Sequence, residues 1–306
     1  MKLTIAIPTH NRARLLAQTL DSIERLRLDE GVDAECLVID NNSSDDTAAV
    51  VESFACRGSI KVRRLFESRL GSSFARNRAI QEADCDFILF VDDDATVEPD
   101  WARELIAEIE RRNLDAACGL VLAHWPSPPP SWLGPMLYVK LAVHDPALSE
   151  ASNDETERLH NYFSANVGFR RKTFERFGCF REDIGVTGGN PLSGEDTELF
   201  ARIIESGGRM GFAPRAVVHH WIGPERLTRN YFRRKSFAFG VGSALKGGRS
   251  HNRFDKLFRN AVRMVAAAAR GDSSRAFHHQ LESVNFFGYW RGRLMRRDVP
   301  SRRVLS

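Results

Sequence analysis

The chain has 306 residues, of which 42% are hydrophobic, and this is enough for one large core with or without an appended unit. Its five cysteines are scattered without CxxC or CxxH spacing, which predicts free thiols in a reducing compartment and excludes the usual disulfide framework or zinc site. The sequence opens on strand-like residues without the regions of a signal peptide, and no apolar run reaches the roughly 18–20 residues that span a bilayer, so we expect a cytoplasmic protein.

The formal net charge of +4 is the sum of an acidic part and a basic part of the chain. Residues 226–306 contain 19 Lys and Arg and 4 Asp and Glu, a net charge of +15, whereas residues 1–225 contain 25 basic and 36 acidic residues, a net charge of −11. This break in composition predicts a domain boundary near residue 225. The basic part has patches of apolar residues at helical spacing, so we expect a mainly helical C-terminal extension.

Strand-like and helix-like segments alternate over the first 112 residues. The apolar stretches "LTIAIP", "AECLVID", "IKVRRLFE" and "DFILFVD" predict strands, and each is followed by a segment with helical spacing. This order predicts an α/β fold with a mostly parallel sheet that is flanked by helices. Three strands end in polar residues, "PTHNR", "DNNSSDD" and "DDD", and ligands of such sheets bind at the carboxyl ends of the strands. We therefore predict that these ends converge on one site; the alternative is three unrelated polar loops.

The regular alternation ends after Cys118. The stretch "HWPSPPPSWLGPM" is a proline-rich loop, and "NVGFRRKTFERFG" predicts a short strand and a helix that stops at Gly178. A glycine-rich loop then leads into a helix at "GEDTEL", and "GRMGFAPRAVVHHWIG" predicts a final pair of strands.

The triplet Asp92, Asp93 and Asp94 directly follows a buried strand. Adjacent carboxylates repel and are costly to desolvate, so a divalent cation, a group of arginines or water must lie there. Carboxylates suit hard cations such as Mg²⁺ and Mn²⁺, which usually keep substrate phosphates as ligands. The sequence lacks a Walker A loop and a Rossmann GxGxxG, which disfavours an ATPase or a dehydrogenase.

The motifs "IPTHNR", "VIDNNSSDDT", "ARNRAI", "VDDDA" and "GEDTEL", in this order, resemble glycosyltransferase family 2, which comprises inverting enzymes with the GT-A fold. The stretches "AVVHH" and "PERLTRNYFRR" are similar to bacterial members that build polysaccharides. The resemblance covers about residues 1–225. It implies a Rossmann-like GT-A domain with a nucleotide-binding half at 1–117 and an acceptor and catalytic half at 118–225, followed by the extension at 226–306.

The resemblance also implies a donor site and a metal. It places Asp40 on the base, Arg76 near the diphosphate or the sugar, and Asp92 against the ribose. The full set of implied nucleotide-sugar residues is Pro8, Thr9, Asn11, Arg12, Asp40, Asn42, Arg76, Asp92 and Asp93, with Ser43 as an alternative to Asn42. Asp94 would bind Mn²⁺ or Mg²⁺ together with a histidine. Because neighbouring strand side chains face opposite ways, only one of His219 and His220 can take part, and the family pattern slightly favours His220.

For catalysis the resemblance implies Asp196 as the general base that activates an acceptor hydroxyl. Glu195 would hold the acceptor or tune Asp196; the alternative is that both carboxylates only complement a helix dipole. Trp132 and Asn166 are candidate acceptor contacts, although a tryptophan in a proline-rich loop is equally explained by packing.

The implied function is metal-dependent, inverting transfer of a sugar from a nucleotide-sugar, UDP being the favoured nucleotide, to a glycan or lipid-linked hydroxyl. A sugar-nucleotide nucleotidyltransferase and a non-catalytic sensor are the alternatives. For the basic extension we favour an anionic membrane surface, which would make the protein peripheral on the inner face of the cell membrane. A solvated extension or a homo-oligomer contact remains open, and nucleic acid is disfavoured because no nucleic-acid motif accompanies the charge.

Overall fold

The computed structural model describes residues 1–55, 60–144, 162–184, 194–245 and 254–297. The chain folds into two compact units. The first unit comprises residues 1–125, 142–189 and 195–222, and the second comprises residues 126–141, 190–194 and 223–306. The second unit thus also includes residues 126–141, which lie well before the change in charge near residue 225. The domain boundary near residue 225 stays a prediction.

The described part of the first unit contains a mixed sheet and its covering helices. The strands are β1 (Lys2–Thr9), β2 (Asp33–Asp40), β3 (Lys61–Phe66), β4 (Phe87–Val91), β5 (Ala95–Val97), β6 (Ala116–His124), β7 (Asn166–Arg170) and β8 (Met210–Trp221). The helices are α1 (Ala13–Ile23), α2 (Thr47–Ala55), α3 (Ser72–Glu82), α4 (Trp101–Arg111), α5 (Thr173–Phe177) and α6 (Glu195–Glu205).

The strands are ordered β3-β2-β1-β4-β7-β6-β8-β5 in one sheet. The first four strands of this order are parallel, as the alternation of strands and helices predicted, and β8 is parallel to β6. β7 is antiparallel to both of its neighbours, and β5 is antiparallel to β8. The predicted α/β architecture is confirmed, with a sheet that is mixed beyond β4.

Central strand β4 shows why the sheet forms this way. All five of its residues, Phe87–Val91, are buried, as expected for a strand that is covered on both faces. Phe90 contacts Phe169 of β7 edge to face, with ring centroids 6.1 Å apart. Gly168 permits the close approach of β7, because a Cβ atom there would lie 2.6 Å from Leu89 Cδ2. The apolar run therefore sets the centre of the core, and the three aspartates begin where it ends.

Strand β8 differs from the sequence prediction. The sequence predicted a pair of strands in "GRMGFAPRAVVHHWIG", but the structure contains one strand of 12 residues. Its register with β6 jumps from Gly119↔Ala213 to Leu120↔Val217, and Pro214 lies in the resulting bulge. A bulge tolerates proline, which cannot donate a ladder hydrogen bond. The continuous strand carries its C-terminal end to the aspartates, where the Trp221 amide donates to the Asp94 carbonyl (2.7 Å).

The second unit is helical in its described part. Its helices are α7 (Arg229–Leu245), α8 (Phe254–Ala269) and α9 (Ser273–Arg297), with 3₁₀ turns at Pro135–Leu141 and Pro224–Arg226. Helices α7 and α9 approach closely through glycines: a Cβ at Gly240 would lie 2.1 Å from the Asn285 carbonyl oxygen. Among the described helices, none combines the length and the apolar character that crossing a membrane requires.

Candidate active site

The polar ends of β1, β2 and β4 meet, as the sequence predicted. The Thr9 hydroxyl donates to Asp93 Oδ2 (2.7 Å), which joins the end of β1 to the aspartate triplet. The Asn11 amide nitrogen donates to Ser43 Oγ (3.0 Å), and Asn11 Oδ1 accepts from the Ser44 amide (2.7 Å). The three strand ends therefore form one continuous hydrogen-bonded rim.

The residues predicted to bind the nucleotide lie along this rim. Asn11 and Asn42 have positive φ angles of 52° and 64°, a conformation that asparagine tolerates better than most residues. Pro8 lies near the end of β1, opposite Ile39 of β2. The buried Asp40 carboxylate accepts from the Ser43 amide (2.8 Å) and from Arg64 (2.9 Å). Asp40 is thus held in place at the strand end, and its contact with a base stays a prediction.

Arginines provide part of the positive charge that the aspartate triplet requires. Arg12 donates to Asp93 Oδ1 (2.8 Å) and to Asp94 Oδ2 (2.7 Å). Burial raises the pKa of Asp93 to about 6, although Arg12 opposes that shift, and Asp94 adds to it. Burial also disfavours the charged form of Arg12, but Asp93 and Asp94 outweigh this effect and raise its pKa. Arg12 is therefore a fixed positive charge beside the triplet.

Asp92, Asp94 and His220 form a cluster that suits a divalent cation. Each offers one ligand atom, and these atoms all lie within 4.8 Å of one another. His220 Nε2 is 3.2 Å from Asp94 Oδ1, and both side chains are almost fully buried. Two carboxylates and an imidazole are suitable ligands for Mn²⁺. They also suit Mg²⁺ when water or phosphate oxygens act as further ligands. His219 faces away from this cluster, with its Nε2 2.7 Å from Glu98 Oε1, so the structure favours His220.

A buried arginine connects the aspartate triplet to helix α6, which begins at Glu195. Arg76 of α3 donates to Asp92 Oδ1 (3.2 Å) and to Glu195 Oε1 (2.9 Å). Ser72, one helical turn before Arg76, also donates to Glu195 Oε1 (2.7 Å). Burial opposes the charge of Arg76, but Asp92 and Glu195 raise its pKa. Glu195 therefore faces the protein interior and orients Arg76.

Asp196 lies beside Glu195 but has other partners. Its Oδ2 accepts from the Ser164 hydroxyl (3.2 Å), and its Oδ1 accepts from the Thr197 amide at the start of α6 (2.7 Å). Asp196 is partly exposed, whereas Glu195 is buried. Of the two carboxylates, Asp196 is thus the one that an external hydroxyl group can reach.

The structure does not support Asn166 as an acceptor contact. Its side chain is fully buried and makes three hydrogen bonds in the core. Oδ1 accepts from Trp101 Nε1 (2.8 Å), and Nδ2 donates to the carbonyl oxygens of Leu120 (2.9 Å) and Ala216 (2.8 Å). Because no atom of Asn166 is exposed, this residue instead holds β6, β7 and β8 together next to the bulge.

Trp132, the other predicted acceptor contact, belongs to the second unit. Its ring makes edge contacts with Phe232 (5.4 Å between centroids) and Phe277 (5.1 Å). The Arg229 guanidinium lies 5.6 Å from its centroid. Trp132 is thus part of an aromatic cluster, in line with the packing alternative, and its contact with an acceptor stays a prediction.

Sequence reasoning missed three side chains of this site, namely Ser72, Ser164 and Arg64. Ser72 could have been found, because it precedes Arg76 by four residues and therefore shares its helix face. The other two carry no such signal. Ser164 meets Asp196 across 32 residues, and Arg64 meets Asp40 across 24 residues and two neighbouring strands.

The sheet order and the aspartates at the end of β4 define a GT-A fold, and solved structures share it. A mannosyltransferase from Pyrobaculum calidifontis, PcManGT in complex with GDP-Man and Mn²⁺, superposes with a TM-score of 0.67 over 97% of this chain and 88% of its own, at 16% identity. Staphylococcus aureus TarS (residues 1–349) in complex with UDP-GlcNAc superposes with a TM-score of 0.53 over 97% of this chain and 92% of its own, also at 16% identity.

The family follows from the sequence match. The model of glycosyl transferase family 2 matches residues 4–178, which is more than half of the chain. The chain therefore belongs to glycosyl transferase family 2 and is a glycosyltransferase.

Curated relatives match most of the chain. The succinoglycan biosynthesis protein ExoM of Rhizobium meliloti is 25% identical over 78% of this chain and 73% of its own length. The O-antigen chain rhamnosyltransferase RfbN of Salmonella typhimurium is 26% identical over 78% and 69%. A glucosyl-dolichyl phosphate glucuronosyltransferase of Haloferax volcanii is 24% identical over 78% and 74%.

Proposed function

We propose that the protein transfers a sugar from a UDP-sugar to a hydroxyl group of a glycan or a lipid-linked acceptor, with a divalent cation and with inversion at the anomeric carbon. The observation that carries this proposal is the cluster of Asp92, Asp94 and His220, with Arg76 linking it to the helix that presents Asp196. The proteins that the chain resembles support it: TarS binds UDP-GlcNAc, PcManGT binds GDP-Man and Mn²⁺, and RfbN acts on O-antigen chains.

The donor side of the proposal rests on fixed positive charge at the end of β4. Asp92, Asp94 and His220 would hold a divalent cation, which stabilises the negative charge of a departing diphosphate. Arg76 is held beside Asp92 and supplies a second cation at the same place. Thr9, Asn11 and Asp40 line the rim on which the nucleotide would lie.

On the acceptor side, Asp196 takes the proton of the attacking hydroxyl group. As that proton moves to the carboxylate, the acceptor oxygen bonds to the anomeric carbon and the bond from this carbon to the diphosphate oxygen breaks. Attack from the face opposite to the leaving group inverts the configuration. Hydrogen bonds from Ser164 and Thr197 orient the Asp196 carboxylate, and Glu195 acts through Arg76 rather than on the acceptor.

A panel of UDP-sugars with Mn²⁺ tests the proposal. We expect at least one UDP-sugar to release UDP, through transfer or slow hydrolysis, and we expect a chelator to stop the release. A nucleotidyltransferase would release no UDP and would instead form UTP and a sugar 1-phosphate from the UDP-sugar when pyrophosphate is added, and a sensor would bind without turnover. None of these outcomes depends on knowing the acceptor.

Calorimetry with UDP and Mn²⁺ tests the metal ligands separately. Asp94→Asn should abolish the part of UDP binding that requires Mn²⁺ and should leave the fold intact. Asp84→Asn is the control, because the Asp84 side chain is 91% exposed and pairs only with Lys2 among the ion pairs described. Wild-type affinity in Asp94→Asn would remove this residue from the metal site.

A further inference from the structure

Helix α8 of the second unit has an apolar face that is open to solvent. Phe258, Val262 and Val265 are 72%, 53% and 64% exposed, although they recur at the spacing of one helix face. Three exposed alanines extend this face, so that the outer strip consists of Phe258, Ala261, Val262, Val265, Ala268 and Ala269. The buried side chains of α8, such as Asn260 and Ala267, lie on the opposite face. A contiguous apolar strip on a surface is a sign of an interaction site.

Arginines border this strip along one edge. Arg259, Arg263 and Arg270 are exposed, and their spacing of four and seven residues places them side by side on α8. Arg263 and Arg270 also line a cavity of about 530 Å³, together with Arg275 and His279 of α9. Burial, and then Arg263, lower the pKa of His279, as expected where positive charges converge. Asp272 is the acidic residue among those that line the cavity.

Helix α9 carries a second row of exposed apolar residues with arginines next to it. Phe287, Trp290 and Leu294 are 57%, 38% and 53% exposed at positions that share a helix face. Arg291 and Arg293 are exposed next to them. Aromatic and apolar side chains interleaved with arginine are typical of helices that lie in the interface of a bilayer.

We propose that the second unit docks on the surface of a membrane that contains anionic phospholipids. The α8 strip would enter the boundary between headgroups and acyl chains, and the bordering arginines would contact lipid phosphates. Charge selects this occupant, because residues 226–306 carry a net charge of +15 and a second copy of the chain that docks through the same surface would present the same charge. Nucleic acid would match the charge but would leave the apolar strip without a role. The proposal does not depend on the sugar or on the metal.

Sedimentation of the full chain with vesicles tests the proposal. We expect binding to vesicles of phosphatidylcholine with phosphatidylglycerol, little binding to phosphatidylcholine alone, and weaker binding as salt rises. Phe258→Ser combined with Val262→Ser should reduce the affinity roughly 10- to 100-fold, because two apolar side chains no longer leave water. Arg263→Ser combined with Arg270→Ser should reduce it roughly 20-fold, since each arginine near an anionic surface contributes about fivefold.

Matched substitutions in the first unit are the controls. Phe66 is 54% exposed, and the side chains of Arg27 and Arg111 are 69% and 68% exposed. Phe66→Ser, and Arg27→Ser combined with Arg111→Ser, should leave vesicle binding unchanged. Circular dichroism of each variant checks that the helices persist; because all substituted side chains are exposed, we expect native spectra.

Four results would overturn the proposal. The full chain could fail to bind vesicles with phosphatidylglycerol, or it could bind neutral vesicles equally well. Alternatively, light scattering could detect a concentration-dependent dimer that the Phe258→Ser, Val262→Ser variant dissociates, which would assign the strip to a second copy of the chain. Equal loss of binding in the first-unit controls would also refute it, because the effect would then not be specific to the second unit.

Discussion

The two units use arginine in opposite ways. In the first unit the Arg76 guanidinium is buried and contacts the carboxylates of Asp92 and Glu195. In the second unit Arg259 and Arg263 are exposed and border an apolar helix face. A buried arginine is held in one orientation by its partners and can recognise a small charged group, whereas exposed arginines beside apolar residues suit a large surface. This difference supports both proposals, which are a small charged ligand for the first unit and a membrane surface for the second.

The largest expected effect concerns the carboxylate that the first unit leaves accessible. Asp196→Asn keeps the size of the side chain and can still accept hydrogen bonds, but it removes the basicity. We expect donor binding to survive while the rate of transfer falls roughly 10²- to 10⁴-fold, the usual loss for a general base. Kinetics of UDP release with an acceptor, together with UDP calorimetry, measure the two quantities.

Two other substitutions on α6 serve as comparisons for Asp196→Asn. Glu205→Gln at the exposed end of the helix should have no effect on either quantity. Glu195→Gln should weaken donor binding as well as transfer, because Glu195 holds Arg76 near the aspartates. Near-normal transfer by Asp196→Asn would remove this residue from the mechanism, and loss of UDP binding would instead indicate a structural role at the helix start.

The next largest effect is the difference in unfolding free energy between breaking a buried ion pair and breaking an exposed one. Arg76→Met leaves Glu195, whose side chain is 7% exposed, without its cation, and breaking a buried pair typically costs about 3–5 kcal/mol of unfolding free energy. Arg111→Met breaks the pair with Glu108 at a site where Arg111 is 68% exposed, and such pairs contribute about 0–1 kcal/mol. Urea denaturation of both variants in the absence of UDP measures the difference. Similar losses for the two variants would contradict the contrast between buried and exposed arginines.

The fold was predictable where the information was local. Apolar runs and helical spacing indicated β1 to β4 and their helices, and the polar strand ends indicated one site. The position of β7 between β4 and β6 was not predictable, because pairing partners that lie far apart in the chain leave no local trace. Strand β8 was expected to be a pair of strands for the same reason, since only the register with β6 identifies the bulge at Pro214.

Within the site, residue types were more predictable than their roles. The aspartates, Arg76 and the "GED" carboxylates were all named from motifs. Glu195 was expected to hold the acceptor or to tune Asp196, and in the structure it contacts Arg76, which is 119 residues away. Asn166 was expected to contact the acceptor, yet its amide forms hydrogen bonds with three buried groups of the core. A motif specifies which chemical groups are present, whereas burial decides whether a group binds a ligand or supports its neighbours.

The smallest effect concerns helix packing in the second unit, which has no buried ion pair like that of Arg76 among its described ion pairs. Glycines instead let α7 and α9 approach, and a Cβ at Gly288 would lie 2.1 Å from the Phe237 carbonyl oxygen. Gly288→Ala should therefore destabilise the protein by about 1–3 kcal/mol, the usual cost of overpacking, even though alanine favours helix by about 1 kcal/mol. Gly292→Ala meets its nearest atom at 2.7 Å and should cost less. Thermal unfolding of both variants gives the order. If Gly288→Ala were as stable as the wild type, close packing would not hold α7 and α9 together. The helices that support the exposed α8 strip would then be packed less tightly than the structure shows.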